Sequence, residues 1–280
     1  MNTPLVSVEE LSAHPGWRLF DCRHELTAPE LGGRQYAEGH LPGALHAHLD
    51  RDLSGSKTGT NGRHPLPQRE SLAAWLGKQG VTADNVVVAY DASGGPYAAR
   101  LWWLLRWLGH SRVTVLDGGV DAWLRGGHLL TRDVPAPRAT TYAPGPSSMP
   151  TVDVDHVVSH LHRTDTVILD ARGRGRYAGQ GEALDPVGGH IPGARNRPYL
   201  DNLEADGRFK SSGVLRDELT RMLGRPSAAH VISQCGSGVT ACHNLLAMEV
   251  AGLGTATLYP GSWSEWCSDP TRPVTTGENP

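Results

Sequence analysis

Cys235 follows the apolar run His230–Gln234 and opens the stretch Cys-Gly-Ser-Gly-Val-Thr-Ala at 235–241. A β-type segment that ends in a cysteine, then small uncharged residues, then a helical pattern, has a chemical use. A helix N-terminus leaves several N–H groups without partners and carries partial positive charge. A thiol placed just before it sits where successive N–H groups converge as an anion-binding nest. Such a nest favours the thiolate, the nucleophilic form. Gly236 and Gly238 permit backbone conformations that a β-carbon resists. Ser237 adds a hydroxyl that donates a hydrogen bond or passes a proton. The structural alternative is a buried thiol packed as a small hydrophobe.

Composition excludes several other chemistries. The 280 residues carry a net charge of −3, which is no electrostatic footprint for nucleic acid or an acidic membrane. The longest apolar runs, such as Val86–Tyr90, fall far short of the ~18 residues of a membrane span. The opening MNTPLVSVEELSAH lacks the basic end and apolar stretch of a signal peptide. Cys22, Cys235, Cys242 and Cys267 are too few and too irregular for a disulfide framework, so a reducing, cytoplasmic setting is expected. The 14 histidines form no H-E-x-x-H, and there is no C-x-x-C, so no metal is expected.

The elements that position Cys235 occur twice. LFDCR at 19–23 matches ILDAR at 168–172, and GHLPGA at 39–44 matches GHIPGA at 189–194. VVVAYD at 86–91 matches HVISQC at 230–235, and LDGGVDAW at 116–123 matches YPGSWSEW at 259–266. The four matches keep their order at separations of 143 to 150 residues, which indicates one duplication. The first copy has Asp91 where the second has Cys235. The chain therefore divides into a domain at 1–132 without the thiol, a Pro-rich linker at 133–150, and a catalytic domain at 151–280. Strands are expected near Arg18–Asp21, Val86–Tyr90, Val113–Leu116, Val167–Leu169, His230–Ser233 and Ala256–Tyr259. Ser7 and Glu10 form a capping-box pattern for a helix over Val8–Ala13. Leu101, Leu104, Leu105 and Leu108 mark a long helix, and another is expected over Thr240–Ala251. Strand–helix alternation with continuous apolar strands predicts an α/β fold, each domain a mostly parallel sheet flanked by helices. A ligand cleft is expected at the carboxyl ends of the strands.

These motifs, D-x-R, G-H-I-P-G-A, C-x-x-G-V-T-A-C-H and G-S-W-x-E-W in tandem, resemble the two-domain rhodanese sulfurtransferases over nearly the whole chain. CGSGVTA is most similar to the 3-mercaptopyruvate branch, since thiosulfate-preferring relatives usually carry two basic residues after the cysteine. The resemblance implies that Cys235 takes sulfane sulfur as a persulfide and passes it to a thiol, cyanide or thioredoxin, without a cofactor. It implies an N–H ring from Cys235, Gly236, Ser237, Gly238, Val239 and Thr240. Arg176 matches an arginine that the family places near the substrate; its alternative is a solvated loop residue. A second loop arginine found in several relatives has no match in GQGEALDPVGGH at 179–190. A serine–histidine–aspartate relay discussed for mercaptopyruvate enzymes maps to Ser237 and His40, with only Glu30 near an acid position. His40 has a structural alternative, because His190 fills the same slot in the second repeat.

Charge supports the donor assignment independently. Thiosulfate is a dianion and gains from fixed positive charge beside the thiol, which Gly236-Ser237 lacks. Mercaptopyruvate carries one carboxylate, which a more distant arginine can hold. Thiosulfate sulfurtransferase and a sulfur-relay module for a protein acceptor are the rival readings. A Cys-x5-Arg phosphatase is excluded by Ala241 at the arginine position. Asp170 and Arg172 are expected to tie loops together, and Trp102, Trp103 and Trp107 to pack in a core. His46 and His48 read as strand-face or cleft residues, Cys22 and Cys242 as buried, and Cys267 as more exposed.

Overall fold

The apolar runs form two fully parallel sheets in the computed structural model, which describes residues 4–161, 163–224 and 227–280. The first sheet contains β1 (Leu5–Val6), β2 (Arg18–Asp21), β3 (Ala44–His46), β4 (Val87–Tyr90) and β5 (Val113–Leu116), in the order β1-β5-β4-β2-β3. The second contains β6 (Val167–Asp170), β7 (Arg195–Asn196), β8 (Val231–Gln234) and β9 (Thr257–Leu258), in the order β7-β6-β8-β9. Every residue of β4, β5, β6 and β8 is buried, as strands covered on both faces require. The strands β1, β3 and β7 were not expected from the sequence; at two or three residues each they leave no alternating pattern to read.

Each unit repeats the same local devices. In the first, Arg23 grips the Asp21 carboxylate and donates to Gly39 O; in the second, Arg172 grips Asp170 and donates to Gly189 O. His40 stacks on Tyr36 at 3.9 Å between ring centres, and His190 on Tyr177 at 3.7 Å. Asp21 and Asp170 are fully buried, so their paired arginines satisfy carboxylates that would otherwise be costly there. The helix Pro96–Trp107 is buried from Pro96 through Leu105, with Trp102 and Trp103 inside the core. Ser7 caps the helix Val8–Ser12 by accepting the Glu10 N–H at 3.2 Å.

The compact units do not follow the sequence boundaries throughout. One comprises the chain up to Gly55, Leu66–Ser148 and Leu203–Phe209; the other comprises Ser56–Pro65, Met149–Asn202 and Lys210–Pro280. Hydrogen bonds explain the reassigned pieces. Thr140 N–H and Gly145 N–H donate to Gly77 O and Leu108 O, so the Pro-rich segment as far as Ser148 lies along the first unit. Phe209 N–H donates to the Asp117 carboxylate of that unit. Arg63 N–H donates to Ser264 Oγ, which places 56–65 with the second unit. Among the described residues, no helix is long and apolar enough to cross a membrane.

Candidate active site

Strand β8 delivers Cys235 to the N-terminal end of the helix Thr240–Val250, and the residue is 2% exposed. Ser237 N–H donates to Cys235 Sγ at 3.4 Å. The turn depends on Gly238, whose φ is +75° and whose added Cβ would lie 2.4 Å from Pro260 O. Beneath the loop, the helix Ser262–Trp266 holds its backbone: Trp263 N–H donates to Cys235 O and Ser264 N–H to Gly236 O. Ser262 Oγ accepts the Cys235 N–H at 3.1 Å and donates to Tyr259 O. Ser262 does this at φ 55°, the one described non-glycine residue in the left-handed region. That is the local meaning of the G-S-W-x-E-W motif.

The first unit shows what this loop does with an internal anion. Asp91 occupies the thiol's position, and its carboxylate accepts N–H bonds from Ser93, Gly95, Tyr97 and Ala98 at 2.8–3.0 Å. Burial pushes the Asp91 carboxyl up, against the pull of those four donors.

Three further groups meet at the Cys235 loop. His64 Nδ1 lies 2.7 Å from Ser237 Oγ, and both residues are buried. Arg63 and Arg176 converge on Gly236: a Cβ added there would lie 2.8 Å from Arg63 Nη2 and 3.4–3.5 Å from the Arg176 guanidinium. Asp185 bridges the two arginines, through Oδ1 to Arg63 Nη1 and through Oδ2 to Arg176 Nη2 at 3.0 Å. Glu182 takes Arg176 through a second fork at 2.9 and 3.0 Å. Its Oε1 also accepts the N–H groups of Ala183, Leu184 and Asp185, so the loop folds around its own carboxylate. Burial pushes Glu182 up, but Arg176 and those N–H groups outweigh it and hold the carboxyl below its ordinary value. Asp185 is pushed up, by burial first; the Arg63 charge opposes this and Glu182 adds to it.

The sequence-based expectations meet this geometry unevenly. Cys235, Gly236, Ser237, Gly238, Val239 and Thr240 form one continuous loop into the helix, and Arg176 reaches it. Within the unit that holds Ser237, the histidine beside its hydroxyl is His64. His40 belongs to the first unit, where Nδ1 and Nε2 face the carbonyls of Tyr36 and Asp133. His190 has the same local arrangement, stacked on Tyr177 with Nδ1 facing Tyr177 O. Glu30 pairs with Arg51, at the surface of the first unit. Cys267 is 7% exposed rather than open, and burial, with Asp185 adding, pushes its thiol up to about 11. Cys22 and Cys242 are buried as expected.

The sequence reading missed His64 and Arg63, in GRHPLP at 62–67, and the Glu182–Asp185 pair. GRHPLP aligns with GRFKSS at 207–212, at a separation of 145 residues, but the histidine is present only in the first copy. An Arg-His pair in a long polar loop with no regular structure was the available signal, since such loops in compact domains tend to be functional. One further cluster, His24, His48 and Asp50, gathers possible metal-ligand atoms. His48 Nδ1 accepts N–H bonds from Asp50 and Arg51, which leaves the ring proton on Nε2, the atom that would have to bind a metal.

Comparison with known proteins places this geometry. A Pseudomonas aeruginosa protein named "Probable 3-mercaptopyruvate sulfurtransferase" is 43% identical over 280 residues, 98% of each chain. "Thiosulfate sulfurtransferase" from Cricetulus griseus is 33% identical over 270 residues, 93% of this chain and 88% of the relative. The solved 3-mercaptopyruvate sulfurtransferase from Leishmania major superposes with a TM-score of 0.86 at 32% identity, covering 97% of this chain and 76% of that one. The family model for the rhodanese-like domain matches residues 6–125 and 153–269, and the chain belongs to that family, with two copies of the domain.

Proposed function

We propose that the protein is a sulfurtransferase that takes sulfur from 3-mercaptopyruvate onto Cys235 and passes it to a thiol, cyanide or thioredoxin. The Cys235 thiolate attacks the donor's sulfur. An S–S bond forms, the C–S bond breaks, and its electron pair passes to carbon as the pyruvate enolate. Ser237 supplies the proton that completes pyruvate, and His64 returns one to Ser237. The acceptor's thiolate then attacks the outer sulfur and releases Cys235. Arg63 and Arg176 hold the donor carboxylate, with Gly236 giving them room beside the nucleophile.

The observation that carries this reading is the meeting of Cys235, the Ser237–His64 pair and two guanidinium groups at one loop. A proton source beside the thiol suits a carbon leaving group, which must be protonated; sulfite leaving from thiosulfate needs no such proton. The 43% identical relative's name agrees with this donor. The second domain carries the chemistry, and the first, with Asp91 filling its loop, is structural. Four free cysteines support a reducing, cytoplasmic setting. The test is kcat/KM for mercaptopyruvate against thiosulfate with a common acceptor; a lower value for mercaptopyruvate would overturn the donor assignment.

A further inference from the structure

The arginine pair at Gly236 is already matched by two acids. Asp185 bridges Arg63 and Arg176 with its two oxygens, the geometry by which a donor carboxylate would bind them. Glu182 takes a second edge of Arg176. Both acid side chains are 3–5% exposed, while both arginines are 25% exposed. The acids therefore sit behind the guanidinium groups, and the remaining N–H edges turn toward Gly236 and the thiol loop. Arg172 also lies 3.9 Å from Glu182 and is itself paired with Asp170, so three positive and three negative charges leave no surplus at this cluster.

We propose that Glu182 and Asp185 are specificity-determining residues: they fix the direction of Arg63 and Arg176 and cancel their charge, so that a monoanionic carboxylate is accepted and a dianionic donor is disfavoured. This deepens the donor reading above and rests on it for the identity of the preferred donor. Discrimination by an unfavourable element is a general route to specificity. Removing one negative charge near the site helps any anionic donor, but Coulomb energy scales with charge. A dianion at the same distance gains twice the free energy of a monoanion, so the ratio of the two rates must shift.

The experiment compares wild type with Asp185→Asn and Glu182→Gln, each able to keep an acceptor oxygen in place. For both variants, the ratio of kcat/KM for thiosulfate to that for mercaptopyruvate is expected to rise about tenfold. Mere loosening of the loop would lower both donors together and leave the ratio unchanged, which would overturn the proposal. A second arm measures binding by calorimetry, with sulfate as the unreactive dianion and pyruvate as the monoanion. Sulfate is expected to tighten more than pyruvate in both variants, and equal changes would count against the counter-charge role. A wild type that prefers thiosulfate would sink the donor reading alone, because the shift between wild type and variants is still read in both arms.

Discussion

At the scale of single residues, Cys235, Ser237 and Arg176 were legible as candidates, and His64, Arg63, Glu182 and Asp185 were not. Cys235 stood out because it follows an apolar strand, precedes a glycine loop and has Asp91 as its twin. His64 was hidden because it lies in a polar loop 173 residues from Ser237 in sequence, and its equivalent in the second copy is Phe209. The family resemblance drew attention to His40, while the repeat gave it a structural twin in His190. These roles separate experimentally. His64→Ala is expected to lower kcat with mercaptopyruvate about 100-fold, the scale of lost acid–base assistance. His40→Ala is expected to lower thermal stability while leaving the rate per folded molecule near wild type. A pair of variants with the opposite pattern would return the relay to His40. Arg63→Gln and Arg176→Gln test the clamp. Each removes charge-assisted bonds worth about 1.5–3 kcal/mol, so KM for mercaptopyruvate should rise about 10- to 100-fold with kcat less affected. Unchanged KM in both would show that the carboxylate binds elsewhere.

At the scale of elements, strand–turn–helix order was legible because buried parallel strands are continuous apolar runs. The expected strand over His230–Ser233 is Val231–Gln234, and the helix expected over Thr240–Ala251 is Thr240–Val250. The supporting helix Ser262–Trp266 was visible only as a repeated motif, since its work is done by backbone N–H groups and Ser262 Oγ. The acid loop at 182–185 was equally silent, because its fold comes from a carboxylate accepting its own backbone donors. The most exacting position in the active-site turn is Gly238. Gly238→Ala would place a Cβ against Pro260 O at a left-handed φ. The loop must shift, and destabilisation of about 1–3 kcal/mol is expected. Denaturation in urea checks this, with sulfur transfer measured on the folded fraction. Wild-type stability together with wild-type rate would mean that the turn is not held as described.

At the scale of the whole molecule, the duplication made the fold readable, because each buried Asp–Arg pair, histidine turn and central strand confirms its twin. The unit boundaries were less readable: 56–65 and 203–209 are assigned by hydrogen bonds that composition does not reveal. Buried acids of high pKa set a stability limit in alkali. Burial pushes Cys267 up to about 11, and Tyr142 and Tyr177 up to about 12. Their ordinary values are 9.0 for the thiol and 10.0 for the phenols. Above pH 9 the unfolded chain releases protons that the folded chain retains, so their contribution is complete below pH 9 and is lost as pH rises toward 12. Melting temperature should fall steadily across that window, and a flat profile to pH 11.5 would contradict the burial of these groups. The proposed reaction passes sulfur through Cys235. Intact mass after incubation with mercaptopyruvate and no acceptor tests it most directly. The account predicts a gain of about 32 Da, one sulfur atom, in wild type. It predicts no gain and no turnover in a folded Cys235→Ser variant. The same mass gain or continued turnover in that variant would place the chemistry on another thiol.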